Sequence, residues 1–247
     1  MIQGFYSAAT GAQQQMKKMD VQANNIANVN TYGFKAERAS FGALMYGMVE
    51  GTEGDLPRGS GAAVVSTGTD FSSAPIEETG RSQDYAIIGE GYFGLYDPET
   101  DEISFTRDGS FALGSFQRLV EEEGEEPYYE QVFYLTDGEG RQVLDRQGYP
   151  IEVQDGGYDD VQPVGVFSIQ YQDGLQHVGS GRFVAGEKNG QLAITQAEVR
   201  QGYLESSNAD LATELGKVIE AQRAYSYALR MVTTADEVET TVVNLAN

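Results

Sequence analysis

The sequence predicts an α+β protein in which long N- and C-terminal helices pair as a coiled-coil-like unit around a central, mainly antiparallel β domain. Three observations predict it. Apolar residues recur at alternating three- and four-residue steps near both chain ends. The middle alternates short β-rich runs with Asp-Gly and Gly-rich turn signals. The stretch between the first helix and that β region shows no sustained period.

The first element is a heptad helix. Ile2, Phe5, Ala9, Ala12, Met16, Met19, Ala23 and Ile26 alternate steps of three and four, the a/d pattern of a coiled-coil seam. Ala at several of these positions lets a partner helix approach closely. Gln13, Gln14, Lys17, Lys18, Asp20 and Gln22 are expected on the opposite, polar face. The run Asn24-Asn25-Ile26-Ala27-Asn28-Val29-Asn30-Thr31-Tyr32-Gly33 reads as a helix stop and turn, because Asn and Gly tolerate left-handed backbone.

Residues 34–80 read as an extended linker or loop, with a short helix expected at 37–46. Gly47, Gly51, Gly54, Gly61, Gly68 and Pro57 punctuate this stretch.

Residues 81–200 read as the β domain. Strand-like runs recur at 85–88, 92–96, 103–107, 110–113, 131–135, 142–144, 151–153, 164–171 and 182–185. Asp108-Gly109 between Phe105-Thr106-Arg107 and Ser110-Phe111 predicts a two-residue hairpin turn. Glu121–Glu126 reads as an exposed, like-charged loop.

The last element is a longer helix, expected over 208–246, with Ser207 as N-cap and Asp210 closing a capping box. Leu211, Leu215, Val218, Gln222, Tyr225, Leu229 and Val232 continue the heptad. The apolar set then slips by three residues to Ala235, Val238, Val242 and Leu245, a stammer. The expected domains are therefore 1–33 (first helix of the core), 34–80 (linker), 81–200 (β domain) and 201–247 (second helix of the core).

Composition excludes several functions. Lys plus Arg number 16 against 38 Asp plus Glu, for a net charge of −22, which rules out a basic nucleic-acid footprint over the whole chain. Most of the acidic excess falls between residues 46 and 202. There is no cysteine, hence no disulfide, thiolate metal site or Cys nucleophile, and His177 is the one histidine. No apolar run reaches membrane-span length, and no cleavable leader pattern opens the sequence.

Chemical motifs are sparse. Gly89-Glu90-Gly91-Tyr92-Phe93-Gly94 matches G-x-G-x-x-G, but strand and turn residues follow where a dinucleotide site needs a helix, so it reads as a bend between strands. His177 lacks a nucleophile-elbow partner. Asp155, Asp159 and Asp160 do not match a calcium-loop spacing and read as a solvated turn. No catalytic residue, metal, cofactor, small-molecule substrate or nucleic acid is expected.

Several stretches resemble the bacterial flagellar rod and hook proteins. They are Asp20 through Lys35, with Asn24, Asn25, Asn28, Gly33 and Phe34 as its signature, Asp84 through Phe93, Phe105-Thr106-Arg107-Asp108-Gly109-Ser110-Phe111, Gly148-Tyr149-Pro150-Ile151, Gln201 through Leu211, and Ala221-Gln222-Arg223-Ala224-Tyr225. They resemble the distal-rod members or their close proximal-rod paralogue, apart from a shorter stretch around 47–70 and the lack of an extra outer domain common in hook proteins. The resemblance implies export through the flagellar channel without a cleaved signal. It implies helical packing into a hollow rod of the basal body, with terminal helices inside and the β domain outside. The implied partners are copies of this chain, other rod and hook proteins, and the export apparatus.

The residues alone support the same physics. Two seams at opposite chain ends cannot both be covered by a β domain, and heterologous contacts between copies generate filaments. The competing reading is an acidic β-rich binding module oligomerised by its coiled-coil ends.

Overall fold

A computed structural model of the chain describes residues 2–43, 47–49, 56–58, 62–120, 128–154 and 157–246. The fold is α+β, with two helices that pack on each other and a central antiparallel β domain. The chain divides into two units, one built from residues 1–29, 36–70 and 209–247, the other from 30–35 and 71–208.

The first unit holds α1 (Ile2–Ala27), α2 (Leu211–Ala246), β1 (Glu37–Ala43), β2 (Gly47–Val49), β3 (Leu56–Arg58) and β4 (Ala62–Thr69). At 1.5 Å per residue α1 is about 39 Å long and α2 about 54 Å. Late residues of α1, Lys18 to Gln22, share a groove with early residues of α2, Glu214 to Glu220, so the pair runs antiparallel.

β1 and β4 form an antiparallel ribbon packed on α1, with a register shift between Ser40 and Phe41. This corrects the expected helix at 37–46: residues 37–43 are strand, and 44–46 lie outside the described residues. The reason is tertiary. Asn25, buried near the end of α1, donates from Nδ2 to the Glu37 carbonyl (2.8 Å) and accepts the Glu37 N–H (2.9 Å). That pair fixes Glu37 as it enters the ladder, whose other side is Thr69. Weak local helix preference yields to such pairing.

The start of α2 also differs from expectation. The helix begins at Leu211, and Asp210 is its cap: the carboxylate accepts the Thr213 N–H at 2.9 Å. Hydrogen bonds from the Thr213 hydroxyl and backbone hold the Asp210 carboxyl below its usual range. Asp210 thus does from the N-cap position what Ser207 was expected to do.

The second unit contains β5 (Ile76–Glu78), β6 (Tyr85–Ile88), β7 (Tyr92–Asp97), β8 (Glu102–Thr106), β9 (Ala112–Val120), β10 (Tyr128–Thr136), β11 (Gln142–Val143), β12 (Glu152–Val153), β13 (Val166–Ile169), β14 (Gln176–Gly179), β15 (Arg182–Val184), β16 (Leu192–Ile194), β17 (Glu198–Gln201) and β18 (Tyr203–Glu205). The main sheet runs β12-β10-β11-β7-β8-β15-β14. β9 lies on β10, and β13 joins β7 to β16. β6 pairs with β17, and β5 with β18.

Two apolar clusters fill this unit. Tyr85, Ile87, Phe93, Leu95, Phe111, Leu135 and Val143 belong to the larger, and Tyr92, Phe105, Ile169, Leu175 and Phe183 to the smaller. Adjacent residues of β7, Tyr92 and Phe93, feed different clusters, which is the period-two alternation of a strand covered on both faces.

Asp108-Gly109 is not a hairpin turn. β8 pairs with β7 and β15, while β9 pairs with β10, so the dipeptide carries the chain from one pairing to another. Asp108 Oδ1 accepts the Ser110 N–H (2.9 Å) and hydroxyl (2.7 Å), which closes an Asx-type turn. A Cβ at Gly109 would stand 1.7 Å from the Tyr85 carbonyl oxygen. The expected acidic loop 121–126 and Asp155 lie outside the described residues.

Candidate assembly surface

The helix pair buries only half of each apolar stripe. On α2 the inward residues are Glu214, Val218, Ala221, Tyr225, Ala228, Val232 and Ala235, spaced four, three, four, three, four, three. The heptad period is the expected one, turned by part of a position. Val218, Tyr225 and Val232 face inward, whereas Leu211, Leu215, Gln222 and Leu229 are exposed. In place of the companions 215, 222 and 229, their predecessors 214, 221 and 228 pack inward.

α1 shows the same division. Ala12 is buried, and Ala9, Met19 and Ile26 are half-buried. Phe5, Met16 and Ala23 are exposed, and Ile2 lies in the first turn of the helix. Ala8, Gln15 and Gln22 take the inward places beside them. Beyond Ala235 every described residue of α2 is exposed, including Val238, Val242 and Leu245, the last at 82%. α2 outruns α1 by ten residues, so no partner segment of the same helix pair remains for this stretch.

The inward line carries polar atoms without partners. Gln15 Oε1, Gln22 Oε1 and Glu214 Oε2 are buried acceptors with no hydrogen bond among the described residues. Glu214 Oε1 does accept Lys217 Nζ at 2.6 Å.

The family-signature residues have distinct places. Asn24 accepts from the Asn28 side chain at its backbone carbonyl (2.9 Å) and at Oδ1 (3.0 Å), which ends α1. Gly33 has φ +66°, and a Cβ there would stand 2.2 Å from the Asp108 nitrogen. Its N–H donates to the Glu205 carbonyl at 2.7 Å, and Phe34 is buried.

Beside Phe34 is a cluster the sequence pattern does not announce. Glu205, 2% exposed, accepts from Lys35 Nζ at 2.7 Å and from Arg107 Nη1 at 3.0 Å. Glu205 Oε1 also accepts the Ala74 N–H (2.9 Å), and Lys35 reaches the Ser72 carbonyl (2.9 Å). Arg107 Nη2 donates to the Gly89 carbonyl at 2.6 Å, and the guanidinium lies 5.6 Å from the centre of the Tyr92 ring. Burial pushes the Tyr92 phenol well above its ordinary pKa. The three ionised groups come from three of the family-like stretches, which is the one signal that could have found them. Nothing in periodicity marks them as buried.

The other candidates are structural features. Gly89 (φ +106°) and Gly91 (φ +135°) form the bend between β6 and β7. A Cβ at Gly91 would meet Val166 Cγ1 at 2.4 Å. His177 packs edgewise on Phe183 with ring centres 4.5 Å apart. The Asp159 and Asp160 carbonyls receive the Gln201 amide at 3.3 and 3.4 Å. Among the described residues no three His, Cys, Asp or Glu side chains converge as a metal site would require. No described helix is long and apolar enough to cross a membrane.

Comparison with known proteins agrees with the resemblance. Residues 5–35 match the model of the flagella basal body rod protein family, and residues 200–245 match that of the flagellar basal body rod FlgEFG protein C-terminal region. The chain is 30% identical to the flagellar basal-body rod protein FlgG of Bacillus subtilis, over 99% of both chains. It is 31% identical to FlgG of Buchnera aphidicola subsp. Acyrthosiphon pisum, over 96% of this chain and 97% of the relative. Its identity to the rod protein FlgF of Caulobacter vibrioides is 29%, over 92% and 91%. These relatives are named as flagellar basal-body rod proteins, and the two family-model matches cover most of both terminal helices.

Proposed function

Because this chain belongs to the flagellar basal-body rod proteins, we propose that it is a structural subunit that assembles helically with its own copies through α1 and α2, forming a hollow rod. Its place is the flagellar basal body, and its function is mechanical. The observation that carries the reading is the exposed half of both apolar stripes together with the overhang of α2 after Ala235. Leu215, Leu229, Val238 and Val242 spend free energy in water that a neighbouring helix would recover, at about 25 cal/mol per Å² of apolar surface covered.

Adjacent rod and hook subunits are the further partners, and the flagellar export channel is the route. The division into a core of terminal helices (1–33 and 201–247), a connecting segment (34–80) and a β domain (81–200) belongs to the same proposal. Seams that close only against neighbours are compatible with passage of an unfolded chain, since their ordering is offset at docking. Electron microscopy of the purified, concentrated protein tests the reading. Helical filaments or tubes are expected. Small closed oligomers with no open-ended growth would favour an acidic binding module instead.

A further inference from the structure

Besides the line it turns to α1, the helix α2 carries two exposed stripes. Leu211, Leu215, Gln222 and Leu229 form the first, and Tyr227, Met231, Val238 and Leu245 the second. Both repeat the same steps of four, seven and seven residues, and the second is the first moved sixteen residues along the chain. At roughly 100° per residue, that shift turns about 160° around the axis, so the stripes lie on nearly opposite sides of the helix. The packed line through Val218, Tyr225 and Val232 points between them.

Charge limits each stripe. Seven residues past Leu229 the first reaches Asp236, and seven residues before Tyr227 the second reaches Glu220. Between those ends neither stripe holds a charged residue, in a chain of net charge −22. The first stripe also continues an interface that already exists. Leu215, Gln222 and Leu229 directly follow the inward-packed Glu214, Ala221 and Ala228.

We propose that the first stripe of one α2 packs on the second stripe of α2 from the next copy, with the helices parallel and shifted by sixteen residues. Opposite stripes suit a row of like-oriented helices, because each helix meets one neighbour on either side. The shift follows from the charges. Without it, Leu215 and Gln222 would border Glu220 of the neighbour, and Val238 would border Asp236. With it, Leu211 meets Tyr227, Leu215 meets Met231, Gln222 meets Val238 and Leu229 meets Leu245, while both carboxylates fall beyond the overlap. An antiparallel neighbour would reverse the steps to seven, seven and four, and the stripes would no longer match. Sixteen residues amount to about 24 Å along the axis. A heterologous contact that advances along the axis at every step cannot close into a ring, so it grows as a helix. This contact rests on the assembly reading and adds to it the partner face, the direction and the register.

The absence of native cysteine makes the register measurable. Leu215→Cys with Met231→Cys, and Gln222→Cys with Val238→Cys, place thiols opposite each other across the contact, whereas about 24 Å separates them within one chain. Leu215→Cys with Leu245→Cys is out of register by about 21 Å. Basal bodies carrying each double variant are treated with a short bifunctional maleimide and run on a denaturing gel. Both matched pairs should give a ladder of dimers, trimers and higher species. It should be at least about tenfold stronger than that of the mismatched pair, because packed helices lie only about 8–10 Å apart. The single variants should give no ladder. Independently of any cysteine, Val238→Asp should leave hydrogen exchange of the isolated chain unchanged. It should reduce the chain in basal bodies about tenfold or more, because a carboxylate would enter an apolar contact.

Incorporated matched pairs without a ladder, an equal ladder from the mismatched pair, dimers from a single variant, or normal incorporation of Val238→Asp would each overturn the proposal and leave the rod reading standing. So would a ladder from Leu215→Cys with Phe5→Cys in place of the matched pairs, which would put α1 of the next copy on this stripe. Absence of the unmodified chain from basal bodies would overturn both.

Discussion

At Gly33 two constraints meet that other residues do not satisfy together: a left-handed backbone and a neighbouring peptide too close for any Cβ. Gly33 was legible as a turn residue, but its closeness to Asp108 is a contact across 75 positions that no local pattern encodes. The same holds for Lys35, Arg107 and Glu205, which lie far apart in the sequence and meet only in the fold. Removing one partner of a buried ion cluster leaves uncompensated charge and costs about 3–5 kcal/mol. Glu205→Gln should therefore lower the thermal unfolding temperature clearly at neutral pH, because Lys35 and Arg107 lose their shared counter-ion. A melting temperature equal to that of the unmodified chain would show that the cluster does not contribute. Glu139→Gln is the exposed counterpart. Hydrogen bonds from Arg141, and then from Ser180, hold the Glu139 carboxyl down to about 2. Its contribution is complete above the ordinary carboxyl value near 4.5 and is lost as pH falls toward about 2, since the folded state binds the proton less readily. Glu139→Gln should lower neutral-pH stability modestly, because solvent screens an exposed pair, leave stability below about pH 2 unchanged, and so flatten that part of the acid-unfolding profile.

At the scale of the element, periodicity located both helices and their apolar stripes but could not say which flank each turns to its partner. A stripe wide enough for two neighbours contains two overlapping heptad readings. The packed one on α2 runs through Glu214, Ala221 and Ala228, which carry weaker apolar signal than Leu215 and Leu229. The strand β1 was misread because its partner β4 begins only at Ala62, beyond an intervening Gly-rich stretch. Similarly, Asp210 rather than Ser207 became the cap because backbone pairing around residues 203–208 holds that segment outside the helix. The rotated seam yields a paired prediction. Leu229 is 42% exposed on α2, whereas Val232 faces α1. Leu229→Asp should leave the monomer folded, soluble and exported, but exclude it from the rod, so that cells are non-motile. Val232→Asp should already reduce helicity and raise hydrogen exchange in the monomer, because it puts a carboxylate into the packed interface. Normal motility and normal basal-body content of the Leu229→Asp chain would show that this face makes no assembly contact.

For the whole molecule, the sequence placed a β region between two helical ends, while the folded units draw their residues from farther apart. The β unit takes in 30–35 from beyond α1, 71–80 from the expected linker and 201–208 from before α2. These additions are integral to its packing. Phe71 packs against Tyr92 and Phe183, β5 pairs with β18, and Lys35 and Glu205 supply two of the three buried charges. They were not legible because each is a short segment whose partner is distant in sequence, and strand pairing, unlike helix periodicity, is not written locally. A fragment limited to 40–200 keeps every apolar side chain of the two clusters but removes Lys35, Glu205 and all of β18. It strands Arg107, a buried cation, and leaves β5 without its partner. A fragment of 30–208 retains every member of both clusters and of the ion cluster. The longer fragment should therefore unfold in one cooperative transition. The shorter one should unfold at least about 10 °C lower, since several kcal/mol are lost and each is equivalent to about 2–4 °C for a unit of this size. Calorimetry of the two fragments decides it. Equal transition temperatures would mean that the segments flanking the helices merely pass over the β unit, and that its fold is complete without the residues that connect it to α1 and α2.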